Sequence, residues 1–168
     1  MVFAVYLLTL GSIMLYFAYG SNLNWQQMNN RCPNSEFICR ALLTDHRLGF
    51  THYATEWGGG VADILWDPNR QVWGVVYRVN ETDRQQLDVC EGYYGPEEPN
   101  EYDRICLTVL QEGHFEKRLS VIAYRVADPS ESDIPPSRGY LAKILAGAEH
   151  WKLPAEYLNV LRQIQPKD

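Results

Sequence analysis

The chain has little of what nucleic-acid binding, metal ligation or serine hydrolysis requires. Its 15 lysines and arginines are outnumbered by 21 aspartates and glutamates, the net charge is −6, and no basic run interrupts the balance. Neutralising phosphates needs a basic face, so nucleic acid is excluded as the principal partner. The four cysteines, Cys32, Cys39, Cys90 and Cys106, contain no Cys-x-x-Cys pair, and His46, His52, His114 and His150 are scattered without ligand spacing. That argues against a metal site. So few cysteines in a chain able to build its own core point to free thiols in the cytoplasm. Gly-x-Ser-x-Gly is missing too; Ser21 stands in Tyr19-Gly20-Ser21-Asn22, with no histidine or aspartate placed to activate it. Finally, no charge falls between Val2 and Ala18. A membrane span or signal core is the tempting reading, but no basic segment or small-residue cleavage site accompanies it, and the run flows straight into Tyr19-Gly20-Ser21. We expect instead that residues 1–13 are an extension upstream of the natural start, and that one domain occupies residues 14–168.

What is present suits a single folded domain: 168 residues, 46% hydrophobic and 12% aromatic. A strand is expected from about Ile13 to Tyr19, then a short helix from Leu23 to Asn30, stopped by Arg31-Cys32-Pro33. Extended runs follow at Glu36 to Thr44 and His46 to Tyr53, separated by Gly58-Gly59-Gly60 from Val61 to Trp66. Asp67-Pro68-Asn69-Arg70 reads as a hairpin turn into Gln71 to Val79. Asn80 is placed to cap a helix over Glu81 to Cys90 that Glu91-Gly92 ends. Strands over Tyr102 to Gln111 and Lys117 to Ala127 turn around Gly113, and helices over Arg138 to Trp151 and Pro154 to Gln163 close the chain. Strands with one early, one central and two final helices predict an α+β fold, a small mixed β-barrel or strongly curved sheet with flanking helices.

Two places carry candidate chemistry. The aromatic run Tyr16-Phe17-Ala18-Tyr19 stops at Gly20, which can take the positive φ of a tight turn, and Ser21 and Asn22 are natural helix N-caps. Such a turn aims backbone N–H groups at one spot, where a helix dipole would help to hold a carboxylate or an oxyanion; an ordinary strand-to-helix connection is the alternative. Glu91 lies at a helix C-terminus, between Cys90 and the aromatic pair Tyr93-Tyr94. The negative dipole end and apolar surroundings would both raise its pKa, toward proton transfer near neutral pH; a solvated surface glutamate is the alternative. Cys90, the rival nucleophile, has no designated histidine and reads as a small buried hydrophobe beside Leu87 and Val89. Glu97, Glu98 and Glu101 read as a solvated loop cluster rather than metal ligands. Tyr102, Tyr124 and Tyr140 could each offer a hydroxyl to a ligand, or pack with it at the surface.

Read together and in order, Tyr16-Phe17-Ala18-Tyr19-Gly20-Ser21-Asn22-Leu23, Leu87-Asp88-Val89-Cys90-Glu91-Gly92 and Tyr102-Asp103-Arg104 resemble the gamma-glutamylcyclotransferase family. Val72-Trp73-Gly74-Val75-Val76-Tyr77 and Pro135-Pro136-Ser137-Arg138-Gly139-Tyr140 extend the resemblance from about Leu15 to the C-terminus. It implies an enzyme that releases 5-oxoproline from a γ-glutamyl compound without metal or cofactor. Glu91 would be its catalytic acid/base. The stretch Tyr16, Phe17, Ala18, Tyr19, Gly20, Ser21 and Asn22 would bind substrate, with Tyr102 and Tyr140 lining the pocket. The implied partner is a small γ-glutamyl amino acid or γ-glutamylamine, neither nucleic acid nor membrane, and a homodimer is compatible with it. The proline- and glutamate-rich loop from Tyr93 to Asn100 departs from the resemblance and makes an anionic leaving group less attractive. A non-catalytic ligand- or partner-binding module on the same fold is the rival reading.

Overall fold

The computed structural model describes residues 13–167. The expected extension over residues 1–13 therefore lies, apart from Ile13, outside the described residues. Five strands, β1 (Met14–Ala18), β2 (Glu36–Ala54), β3 (Gly59–Val79), β4 (Tyr102–Gln111) and β5 (His114–Val126), close into a barrel in the order β1-β3-β2-β4-β5. Every pairing is antiparallel except the closing one, where β1 meets β5 in parallel at Tyr16 and Ile122. Four helices flank it: α1 (Trp25–Arg31), α2 (Glu81–Cys90), α3 (Arg138–His150) and α4 (Ala155–Arg162). The expected mixed barrel with flanking helices is the observed architecture. Among the described residues, no helix is long and apolar enough to cross a membrane.

One expectation is overturned. Asp67-Pro68-Asn69-Arg70 does not reverse the chain; β3 runs through it without turning back. The ladder with β2 pairs Thr44 with Gln71 and then His46 with Trp66, so Asp45 alone faces the four residues from Asp67 to Arg70. Asp45 and Asn69 both take positive φ, 56° and 66°, and the Asn69 N–H donates to the Asp45 carboxylate at 3.2 Å. Turn-forming residues here make a bulge, which bends a long strand and so helps a narrow sheet to close. The actual reversal is at residues 55–58, where Gly58 has φ 67°. The two runs expected before it are accordingly one bent strand, β2.

Apolar side chains fill the barrel. Phe17, Ile64, Val72, Val75, Val76 and Val109 are completely or almost completely buried. Leu23, Met28, Leu87, Ile144 and Leu161 extend this core beneath the helices. α3 lies against the segment that follows β1 so closely that a Cβ on Gly147 would stand 2.3 Å from the Leu23 carbonyl carbon. The Trp151 indole N–H donates to the Leu23 carbonyl at 2.9 Å. The turn after β1 is thus clamped from outside by the last third of the chain.

Candidate active site

β1 leads into the site and ends at Ala18. Tyr16 and Tyr19 line a cleft of about 310 Å³ at the barrel wall, together with Gly20, Ser21, Asn22, Ala62, Glu91, Tyr102, Tyr124 and Tyr140. Eight of the ten expected site residues are therefore brought together. Phe17 and Ala18 are not: both are fully buried, against the backbone of Gly74, where a Cβ would stand 2.4 Å from the Ala18 carbonyl oxygen and 2.7 Å from the Phe17 ring. They support the turn from behind.

The turn differs from expectation in two respects. Gly20 has φ −106°, not a positive value; glycine is needed because a Cβ there would meet the Ala62 Cβ at 2.9 Å. Ser21 and Asn22 do not cap α1. They begin a single 3-10 turn, Ser21–Leu23, and the cap is Asn24, whose side chain accepts the Gln27 N–H at 3.0 Å. The α1 dipole therefore starts beyond the turn. What the turn does present is backbone: among the described residues the N–H groups of Ser21 and Asn22 have no main-chain acceptor. The Ser21 hydroxyl accepts from the Gln27 amide at 2.8 Å, so its orientation is fixed by α1.

Glu91 arrives from the opposite side, carried by α2. The expected cap is observed: the Asn80 side chain accepts the Asp83 N–H at 2.8 Å. At the other end Gly92 adopts φ 62°, Tyr93 N–H donates to the Asp88 carbonyl at 2.9 Å, and Gly92 N–H donates to the Val89 carbonyl at 3.3 Å. This double bond pair around a left-handed glycine stops the helix at one defined residue and leaves Glu91 as its cap. The carboxylate then accepts from the Asn22 amide at 3.1 Å and from the Arg31 guanidinium at 3.4 Å. Burial pushes its pKa up, against the pull of Arg31 and Asn22, while Glu101 adds to the rise. Yet 16% of the side chain stays open, toward the cleft.

The tyrosines point inward, contrary to the plain expectation of surface hydroxyls. Tyr16 accepts from the Asn22 amide at 2.9 Å. Tyr102 donates to the Ala62 carbonyl at 2.7 Å, and the Ala62 N–H donates to the Tyr140 hydroxyl at 2.9 Å. Tyr124 donates to Asp88 at 2.7 Å. Burial holds all of them protonated; the Tyr140 hydroxyl is pushed up to about 12, against the hydrogen bonds it accepts from Ala62 and Ser21. The cleft is thus walled by neutral donors around one ionisable carboxylate.

Some participants were not singled out in the sequence. Arg31 reads there only as part of a helix stop, and Ala62 as an ordinary strand residue. Neither has a local signal; Arg31 reaches Glu91 across 60 positions of chain. Cys90 is half-buried and borders an adjoining chamber with Glu91, rather than packing in the core. Glu97, Glu98 and Glu101 gather no further ligands: among the described residues no group of three could hold a metal.

The chain is similar to known proteins over most of its length. The AIG2-like family matches residues 71–161. Gamma-glutamylcyclotransferase of Mus musculus is 35% identical over 163 residues, covering 94% of this chain and 82% of the mouse protein. Gamma-glutamylcyclotransferase of Homo sapiens is 36% identical over 159 residues, 92% of this chain and 80% of its own. The chain belongs to the gamma-glutamylcyclotransferase family. A solved structure of a gamma-glutamyl cyclotransferase superposes with a TM-score of 0.85 at 33% identity, covering 94% of this chain and 90% of that one. A second, YkqA of Bacillus subtilis, gives 0.76 at 25% identity, with this chain spanning 56% of its length.

Proposed function

We propose that this protein cyclises γ-glutamyl compounds to 5-oxoproline, with Glu91 as the proton-transfer group and the Gly20 to Asn22 turn as the cradle for substrate. The observation that supports it most is the carboxylate, raised by burial, that opens onto a hydroxyl-walled cleft beside backbone N–H groups with no main-chain acceptor.

The substrate carries its own nucleophile. Glu91 takes a proton from the α-ammonium, and the freed amine attacks the γ-carbonyl carbon to close a five-membered ring. The N–H groups of Ser21 and Asn22 are placed to stabilise either the α-carboxylate or the tetrahedral oxyanion. Glu91 then returns the proton to the leaving nitrogen as the C–N bond breaks. The α-nitrogen loses two protons in all and the departing nitrogen gains two, so the amine leaves as an ammonium and Glu91 ends as it began. Holding the chain of the substrate folded contributes much of the rate, because ring closure is a problem of orientation. The four cysteines, none of them paired with another, support a cytoplasmic setting.

Incubation with γ-glutamyl-alanine and with a γ-glutamylamine, followed by measurement of 5-oxoproline, tests the reading. Product from either is expected, and Glu91→Gln should abolish it. A folded protein that forms no product from any γ-glutamyl compound would instead be a binding module on the same fold.

A further inference from the structure

The tyrosine hydroxyls of the cleft are not equivalent, because each has a single proton and the partners already present decide where it points. Tyr16 accepts from the Asn22 amide and Tyr140 from the Ala62 N–H, both at 2.9 Å, so these two keep their protons for whatever enters. Tyr19, Tyr102 and Tyr124 spend theirs. Tyr19 donates to the Tyr124 carbonyl, Tyr102 to the Ala62 carbonyl at 2.7 Å, and Tyr124 to the Asp88 carboxylate at 2.7 Å. What these three turn toward a ligand is lone pairs.

Tyr124 is set apart by what receives its proton. Tyr19 and Tyr102 donate to neutral main-chain carbonyls, whereas Tyr124 donates to a charged group, which draws the proton away and leaves the oxygen a stronger acceptor. Asp88 is in turn fixed through its other oxygen, to which Arg104 donates at 2.6 Å and Arg84 donates as well. Arg84 is itself bonded to Glu81 at 3.0 Å, and the Arg104 guanidinium lies 4.8 Å from the Tyr93 ring centre. One oxygen of Asp88 thus serves two guanidiniums and the other serves Tyr124. Asp88 precedes Glu91 by three residues at the end of α2, so the two lie on one side of that helix, and Tyr124 and Glu91 line the same cleft.

We propose that Tyr124 is a second acceptor for the α-ammonium of the substrate, beside Glu91, and that Asp88 is the positioning residue that makes it one. The inference rests on the cyclotransferase reading and deepens it by orienting the substrate in the cleft. An ammonium has three N–H donors. One goes to Glu91, which removes its proton; another rests on Tyr124, which gives up no proton and steadies the nitrogen while its lone pair forms. The α-carboxylate then falls to the donor side of the cleft, formed by Tyr16, Tyr140 and the turn.

Asp88→Asn tests the assignment because it keeps the shape and reverses the polarity. Guanidiniums only donate, so the asparagine must give its carbonyl to Arg84 and Arg104 and its NH₂ to Tyr124, which turns the Tyr124 proton into the cleft against the ammonium. Its kcat/KM for γ-glutamyl-alanine should fall roughly thirtyfold, and Tyr124→Phe, which removes only one oxygen, should raise KM roughly tenfold. In the Tyr124→Phe background Asp88→Asn should cost no more than about twofold, since the hydroxyl it acts through is gone. Glutaryl-alanine, which lacks only the α-amino group and cannot cyclise, should inhibit the wild type and both single variants with Ki values within about twofold of one another. An Asp88→Asn loss of equal size in both backgrounds, a KM untouched by Tyr124→Phe, or a Ki that rises as far as KM would overturn the inference and leave the cyclotransferase intact. A wild-type protein that forms no 5-oxoproline would overturn both.

Discussion

Glu91 and Asp63 are carboxylates that burial has pushed above their ordinary titration range, yet the fold holds them in opposite ways. Asp63 has no exposed surface and three donors: the Thr51 hydroxyl at 2.7 Å, the Ile64 N–H at 2.8 Å and the Val126 N–H at 3.1 Å. It ties β2, β3 and β5 together and has nothing left to offer a ligand. Glu91 has one amide and one long guanidinium contact, and an open face on the cleft. Burial alone does not mark a catalytic carboxylate. What marks it is acceptor capacity that the protein leaves unfilled beside a cavity.

Substituting the two residues should separate catalysis from folding. Glu91→Gln is expected to lower kcat/KM by on the order of 10³-fold, the scale of a lost general acid/base, with the fold intact by circular dichroism. Its stability should rise at neutral pH. Because the folded-state pKa of Glu91 lies above the usual 4.5, the native protein binds this proton more tightly than the unfolded chain. The group's contribution to stability is present at low pH and lost as pH rises through the folded pKa. The advantage of the glutamine variant should therefore shrink as pH falls toward that usual value, which denaturant titrations across the range will show. Asp63→Ala should do the reverse. It strands a hydroxyl and two backbone N–H groups inside the barrel, costing about 3 kcal/mol in chemical denaturation, and residual folded enzyme should keep its kcat. A loss of kcat comparable to that of Glu91→Gln, without a loss of stability, would break the comparison.

Subtler changes sharpen it. Arg31 pulls the Glu91 pKa down, so Arg31→Gln should move the acid limb of kcat/KM to higher pH. A limb that stays put would show that Arg31 does not act on the base. Smallest of all is the expected effect of Ser21→Ala. If the turn works through its backbone, removing the hydroxyl should cost no more than about threefold in kcat/KM, and a loss as large as that for Glu91 would return Ser21 to the chemistry.

Features with local causes were legible in the sequence. The Asn80 cap, the α2 helix it starts, the stop at Glu91-Gly92 and the strand ending at the Gly20 turn all follow from residues within a few positions of one another. Misreadings arose where a local signal served a distant partner. Asp67-Pro68-Asn69-Arg70 has turn chemistry, but its conformation is set by pairing with Asp45 on β2. Gly20 has the look of a positive-φ residue and is instead a point of close approach to Ala62. Asn22 resembles a cap, while its amide bridges Tyr16 and Glu91.

By itself, then, the sequence determined the existence of the helices and most of their ends, most strand positions, and the residue types available for chemistry, because capping, turn geometry and periodicity act over a few residues. Only the tertiary structure decided which of them meet. Closure of the barrel and the clamp of α3 on the turn set Asn22 and Arg31 against Glu91 and direct the tyrosine hydroxyls into one cleft. Desolvation, which raises the Glu91 pKa above its ordinary value, is a property of that assembled environment and of no single stretch of chain.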